Sequence, residues 1–236
     1  MKGIFNQPRN YNEMLNRIGA FTFLVALICV WLFANVSPEA KALLSSIKMP
    51  VTLDWVKKGE PALYLLVPLL VAIIARIFRL HNSIATIFGI RKYFDFQEIL
   101  AFLCAGSGRA VTIDIADGLL DKTAQRDMMR NAFYCYAGGY DAQLKIDEQL
   151  VRAALDRWTW LWVVIEASVV LSLTSILMAT VGSWVICSVL LAVTIVLHWA
   201  AIAILRSCRT PAHEEVSAIL ADTTRAMEVR KRFDAL

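Results

Sequence analysis

The chain is 236 residues long, enough for one or two soluble domains, yet 58% of its side chains are hydrophobic and its mean hydropathy is +0.56, more than a soluble domain usually carries. The surplus points to an all-α integral membrane protein with the lipid bilayer as its solvent. Basic side chains number 24 against 20 acidic, a formal charge of +4 with no block of like charge, so no direct nucleic-acid binding is expected.

In chain order, the first apolar run is Ile18 to Val36, free of charge and long enough for a span. The polar-rich stretch before it, with no small-residue cleavage site after it, argues against a cleaved secretory signal. A connection with Pro38, Pro50, Gly59 and Pro61 follows, with room for a short amphipathic helix around Glu39 to Ile47. The second run, Ala62 to Phe78, contains Pro68, which removes a backbone donor and bends a helix. Arg76 and Arg79 close it.

Between Arg79 and Arg157 lie 79 residues with ten basic and ten acidic side chains, read as a helical cytoplasmic domain. Asp95 and Glu98 form a D-x-x-E start signal for a helix that stops at Gly106-Ser107-Gly108. Alternation over Val111 to Ala116 leaves a short strand open, and a second helix is predicted from about Asp121 to Ala137. After Asp141 the apolar pattern runs into the third span without proline or glycine until Gly182, which predicts one helix of about 35 residues. Nine aromatic residues (Phe88, Tyr93, Phe94, Phe96, Phe102, Phe133, Tyr134, Tyr136 and Tyr140) are expected to build most of this domain's core.

Spans three and four, Trp158 to Met178 and Trp184 to Leu205, form an antiparallel hairpin about Gly182. The tail is expected to start a helix at Thr210-Pro211, with a stripe of Val216, Ile219, Leu220, Thr223 and Met227 that needs a partner surface. The organisation expected is therefore 1–78 with two spans, 79–157 as the cytoplasmic domain, 158–205 as the hairpin and 206–236 as an amphipathic tail helix. Arginines cluster on one side of such a four-span chain, and the turn between spans three and four has none. This places both termini in the cytoplasm of a multi-pass protein of the bacterial inner membrane.

Glu166 is the one acidic residue inside an apolar run and His198 the one histidine inside one. Folding the hairpin about Gly182 puts them at the same depth, about 12 Å into the membrane at the helical rise per residue. An intramembrane polar pair of Glu166 and His198 is expected, either fixing the packing or serving an ion, proton or gating role. Thr159, Ser168, Ser172, Thr174 and Ser175 on the same helix fit both uses. In the cytoplasmic domain, Arg91, Lys92, Arg126, Arg130 and Tyr134 are candidates for a basic and aromatic pocket that would take a nucleotide or a lipid headgroup. Asp114, Asp117 and Asp121 read as a solvated face. Gly106-Ser107-Gly108-Arg109 lacks the ending of a phosphate loop and the spacing of a nucleophile turn.

The five cysteines have no C-x-x-C pair and the three histidines are far apart, so free thiols, no metal site and no cofactor are expected. No catalytic constellation marks an enzyme. The segments HNSIATIFGIRKYFDF (81–96), NAFYCYAG (131–138) and LDRWTWLWVVIEA (155–167) resemble parts of small bacterial multi-span proteins encoded with antiviral defence systems. That resemblance implies a membrane sensor or a pore-forming effector, acting as a homo-oligomer with a soluble cytoplasmic partner. A non-conducting anchor or scaffold for a soluble effector and a small channel or transporter are the alternatives.

Overall fold

The computed structural model describes residues 7–39, 41–42, 60–138 and 146–236, with the side chains of 60–63 left aside. Every regular element among the described residues is helical. The helix expected around Glu39 to Ile47 falls largely outside the described residues, as do Tyr140 and the start of the segment after Asp141.

Two compact units divide the chain. One comprises Leu15–His81 and Thr159–Ala203; the other comprises Met1–Met14, Asn82–Trp158 and Ile204–Leu236. The four consecutive segments expected from the sequence are thus regrouped, because the tail packs with the domain between spans two and three. We call them the span unit and the helical unit.

The span unit draws on α1 (Tyr11–Val36), α2 (Glu60–Ile77), α9 (Glu148–Thr180) and α10 (Trp184–Ser207). Among the described residues three helices, α1, α9 and the one starting at Trp184, are long and apolar enough to cross a membrane. A fourth span results if α2 and α3 (Leu80–Ile87), bent by 55°, count as one. Pro68 lies inside α2 without ending it, and Arg79, between α2 and α3, takes a positive φ of 46°.

α9 and α10 are joined at Gly182, whose φ of 75° suits a residue without Cβ. The Ser175 hydroxyl donates to the Cys187 carbonyl at 3.0 Å and fixes their register. Ser168, Ser172 and Thr174 instead donate to carbonyls of their own helix. Small apolar clusters, Ala26 and Cys29 with Val170, and Met178 with Cys187 and Leu190, hold the helices together.

The helical unit has the larger core. α4 (Ile90–Phe94) runs through a π-helical turn (Asp95–Leu100) into α5 (Ala101–Gly106). Asp95 and Glu98 therefore lie inside a helix that begins earlier than the start signal indicated, and Asp95 pairs with Arg91 rather than capping. Residues Val111 to Ala116 form no strand: the Thr112 hydroxyl accepts from the Ile115 amide and starts α6 (Ile113–Leu120). Asp121 caps α7 (Lys122–Met128) by accepting from the Thr123 and Ala124 amides, as a residue of this type should. A second π-helical turn (Met129–Tyr134) leads to α8 (Cys135–Ala137), ending at Gly138.

The tail departs from a single helix. α11 (Arg209–Leu220) starts one residue before Thr210, and Asp222, accepting from the Thr224 and Arg225 amides, breaks the tail and caps α12 (Thr223–Asp234). The break turns the expected stripe: Val216 and Ile219 are buried with Val229 and Phe233, whereas Met227 is exposed. The partner surface of the stripe is the protein's own interior, where these side chains meet Leu100, Leu103, Met129 and Phe133. Of the nine aromatics, Phe94, Phe133 and Tyr136 are in this core, Phe96 packs at its edge, and Phe88, Tyr93, Phe102 and Tyr134 are exposed.

Phe233 is completely buried. Phe233→Ala is expected to destabilise the helical unit by about 3 to 5 kcal/mol, the usual cost of such a truncation with its cavity. Chemical denaturation of the detergent-solubilised protein, followed by circular dichroism, checks this.

Candidate polar site of the span unit

Glu166 is the most deeply buried acidic residue among the described residues of the span unit, with 2% of its surface exposed. It sits on α9 directly after an apolar stretch, so its carboxylate is satisfied only by what neighbouring helices bring. From α1, the Thr22 hydroxyl donates to Oε2 at 2.6 Å. The Ile18 carbonyl, 3.0 Å from the same hydroxyl, is its competing acceptor. From the start of α3, His81 places Nδ1 3.6 Å from Oε1, an ion-pair distance when the imidazole is protonated. His81 is itself buried, its ring tilted against that of Trp162 at 5.8 Å between centroids.

A small cavity opens beside these groups, lined by Leu15, Ile18, Gly19, Ala72, Arg76, His81 and Glu166. Arg76 is held at its rim by donating to the Asn16 side chain at 2.5 Å. Arg17, also buried, stacks its guanidinium 4.6 Å above Trp160, a favourable arrangement for a cation removed from water. One carboxylate, one imidazole and one guanidinium thus border a single cavity, and a proton or a small charged group entering it changes the balance among them.

The predicted partner of Glu166 is not the observed one. His198 turns to its own helix, Nδ1 donating to the Thr194 carbonyl at 2.8 Å, and the groups on Glu166 are Thr22 and His81. Depth along the hairpin does not set rotation about the helix axis, and rotation decides which face a side chain occupies. His81 was missed because it follows Arg76 and Arg79, which place it beyond the second apolar run. Its position before the amphipathic pattern Leu80, Ile84, Ala85 was the available signal, since these residues share a buried or half-buried face.

Of the expected basic and aromatic pocket, Arg91 and Tyr134 come together, their side chains joined by a hydrogen bond. Arg91 also pairs with Asp95 at 3.5 Å and donates to Asn82, while Lys92, Arg126 and Arg130 are exposed on the surface. What the helical unit does hold is two largely enclosed acids, Asp95, expected only as part of a helix start, and Glu215, which the sequence did not single out. Burial raises Asp95 to about 6 against the pull of Arg91, and raises Glu215, 5% exposed on α11, to about 9.

A chain built only of helices among its described residues, with three or four of them long and apolar enough to span and a carboxylate buried among them, has the make-up of a multi-pass helical membrane protein. It belongs to the YmfE protein family, which it matches over residues 10–234. No curated protein and no solved structure matches the chain.

Thr22→Val removes the hydroxyl that solvates Glu166 and is expected to cost about 1 to 3 kcal/mol, as for a buried acceptor left without its donor. Thermal unfolding in detergent measures it. Glu215 holds its proton more tightly folded than unfolded, so its contribution favours the fold below pH 4.5 and is lost as pH rises towards about 9. Over that window stability falls by up to about 1.4 kcal/mol per pH unit. Glu215→Gln is expected to flatten this slope, read from denaturation midpoints between pH 5 and 9.

Proposed function

We propose that the protein is a sensor or effector of the bacterial inner membrane, assembled from several copies, that forms or gates a pore and works with a soluble cytoplasmic partner in antiviral defence. The observation that carries this reading is the Glu166 site. A carboxylate buried among apolar helices is costly, and a packing role alone is filled as well by neutral residues. Here it is joined by a second titratable group, His81, and by Arg76 at the same cavity, which is the equipment of a charge-dependent gate rather than of a passive contact.

The apolar surface of α10 supports the membrane setting. Trp184, Val185, Val196 and Trp199 are each more than three-fifths exposed, a pattern unfavourable in water and ordinary in lipid. Arginine placement supports cytoplasmic termini and a cytoplasmic helical unit. Four spans from one copy enclose little space, so a water path calls for several copies. A second reading, a non-conducting anchor that docks a soluble effector, is favoured by the separate and well-filled core of the helical unit.

Glu166→Gln keeps an acceptor for Thr22 and removes the charge. In the gating reading, this variant retains its fold and assembly but loses bilayer conductance and toxicity on induction, and His81→Gln reproduces the loss. Conductance of purified protein in planar bilayers, with both variants, is the test. Wild-type currents from Glu166→Gln would reduce the site to packing, and a wild-type protein that never conducts would leave the anchor.

A further inference from the structure

We propose that the helical unit carries a head-to-tail self-association surface, in which the acidic, apolar face of α6 on one copy receives the basic face of α12 on the next. The inference deepens the proposed function by naming the contact that would bring several copies together.

α6 buries Ile115 and Leu119 and leaves its other side open. On that side Ile113 is 79% exposed and Leu120 51%, one face at a spacing of seven residues, with Asp117 between them and Asp114 beside them. Neither aspartate has a hydrogen bond or ion pair among the described residues. The apolar content separates this face from an ordinary solvated one, since isoleucine at the first turn of a surface helix covers nothing in its own unit.

α12 presents the complement. Val229 and Phe233 point inward, and Glu228 and Asp234 are engaged by Tyr136 and Arg109. What remains outward is Met227, 53% exposed, with Arg230 and Lys231 three and four residues on. Here too neither cation is joined to a carboxylate of the described residues. An exposed apolar residue flanked by two negative charges therefore meets, on another copy, an exposed apolar residue flanked by two positive ones.

Where the copy that receives α12 differs from the copy that α6 receives, the contact is heterologous and repeats from copy to copy, closing into a ring when the rotation allows and otherwise running on as a filament. A ring is the arrangement a shared water path requires, whereas a two-fold contact would stop at two copies. Charge complementarity also sets which face meets which, since like faces repel.

The test uses full-length protein in a mild detergent, with mass read by light scattering and native mass spectrometry. Wild type is expected to exceed two copies. Asp114→Lys with Asp117→Lys, and separately Arg230→Glu with Lys231→Glu, are each expected to shift the mass to a single copy. Mixing the two variants recreates complementary faces and is expected to restore the larger mass, which a misfolded variant could not do. A single-copy wild type overturns the proposal, as does an assembly whose mass ignores both charge reversals. Loss of binding to anionic vesicles in the Arg230 and Lys231 variant, with mass unchanged, would also overturn it and assign the basic face to lipid. Failure of the gating reading is separate, because Glu166→Gln is read as current at constant mass.

Discussion

An ionisable side chain among apolar helices cannot be left alone, and the arrangement of the span unit follows from that constraint. Glu166 lies on α9, its hydroxyl donor on α1 and its imidazole at the start of α3. Three segments distant in sequence must converge at one point for the carboxylate to be tolerated. Where apolar side chains face one another on every helix, a polar requirement of this kind selects which helices pair. The contacts around it, Ala26 and Cys29 with Val170, are small and would permit several registers on their own.

The helical unit solves the opposite problem. Its elements are short, and a helix of five to eight residues has little stability by itself. Order comes from tertiary burial: Leu100, Leu103, Met129, Val216 and Phe233 are all fully enclosed, drawn from α5, both π-helical turns and both tail helices. Caps sharpen the boundaries, with Thr112, Asp121 and Asp222 each accepting backbone amides at a helix start. The buried acids Asp95 and Glu215 are the price of this dense packing, held mostly in their neutral or paired form.

What could be read from sequence was what depends on local pattern. The apolar runs, the hairpin at Gly182, the stop at Gly106 and the long uninterrupted helix into the third span all correspond to elements, the last observed as 33 residues against about 35 expected. Asp121 and the helix after it were also legible, because a cap is a contact between near neighbours. The failures are instructive in the same terms. Alternation over Val111 to Ala116 was outweighed by one capping hydroxyl, and the tail stripe was cut by one capping carboxylate. His81 and Glu166 meet across 85 positions, and no periodicity encodes which face of one helix turns towards another. Glu215 sits on a helix predicted correctly as amphipathic, yet its burial depends on what packs above it.

The two π-helical turns give the helical unit a property of its own. Phe94 and Ile99, both buried, are five residues apart, a spacing that an ordinary helix would set on different sides and that the wider turn brings to one. Each such turn stores one residue beyond what an α-helix of the same length would need. Asp95–Leu100 and Met129–Tyr134 are therefore the places where the chain has length in reserve. Shortening either by one residue would let the turn relax to an ordinary helix with its flanking segments still in phase, whereas the same deletion in α5 or α11 would rotate everything beyond it by about 100°.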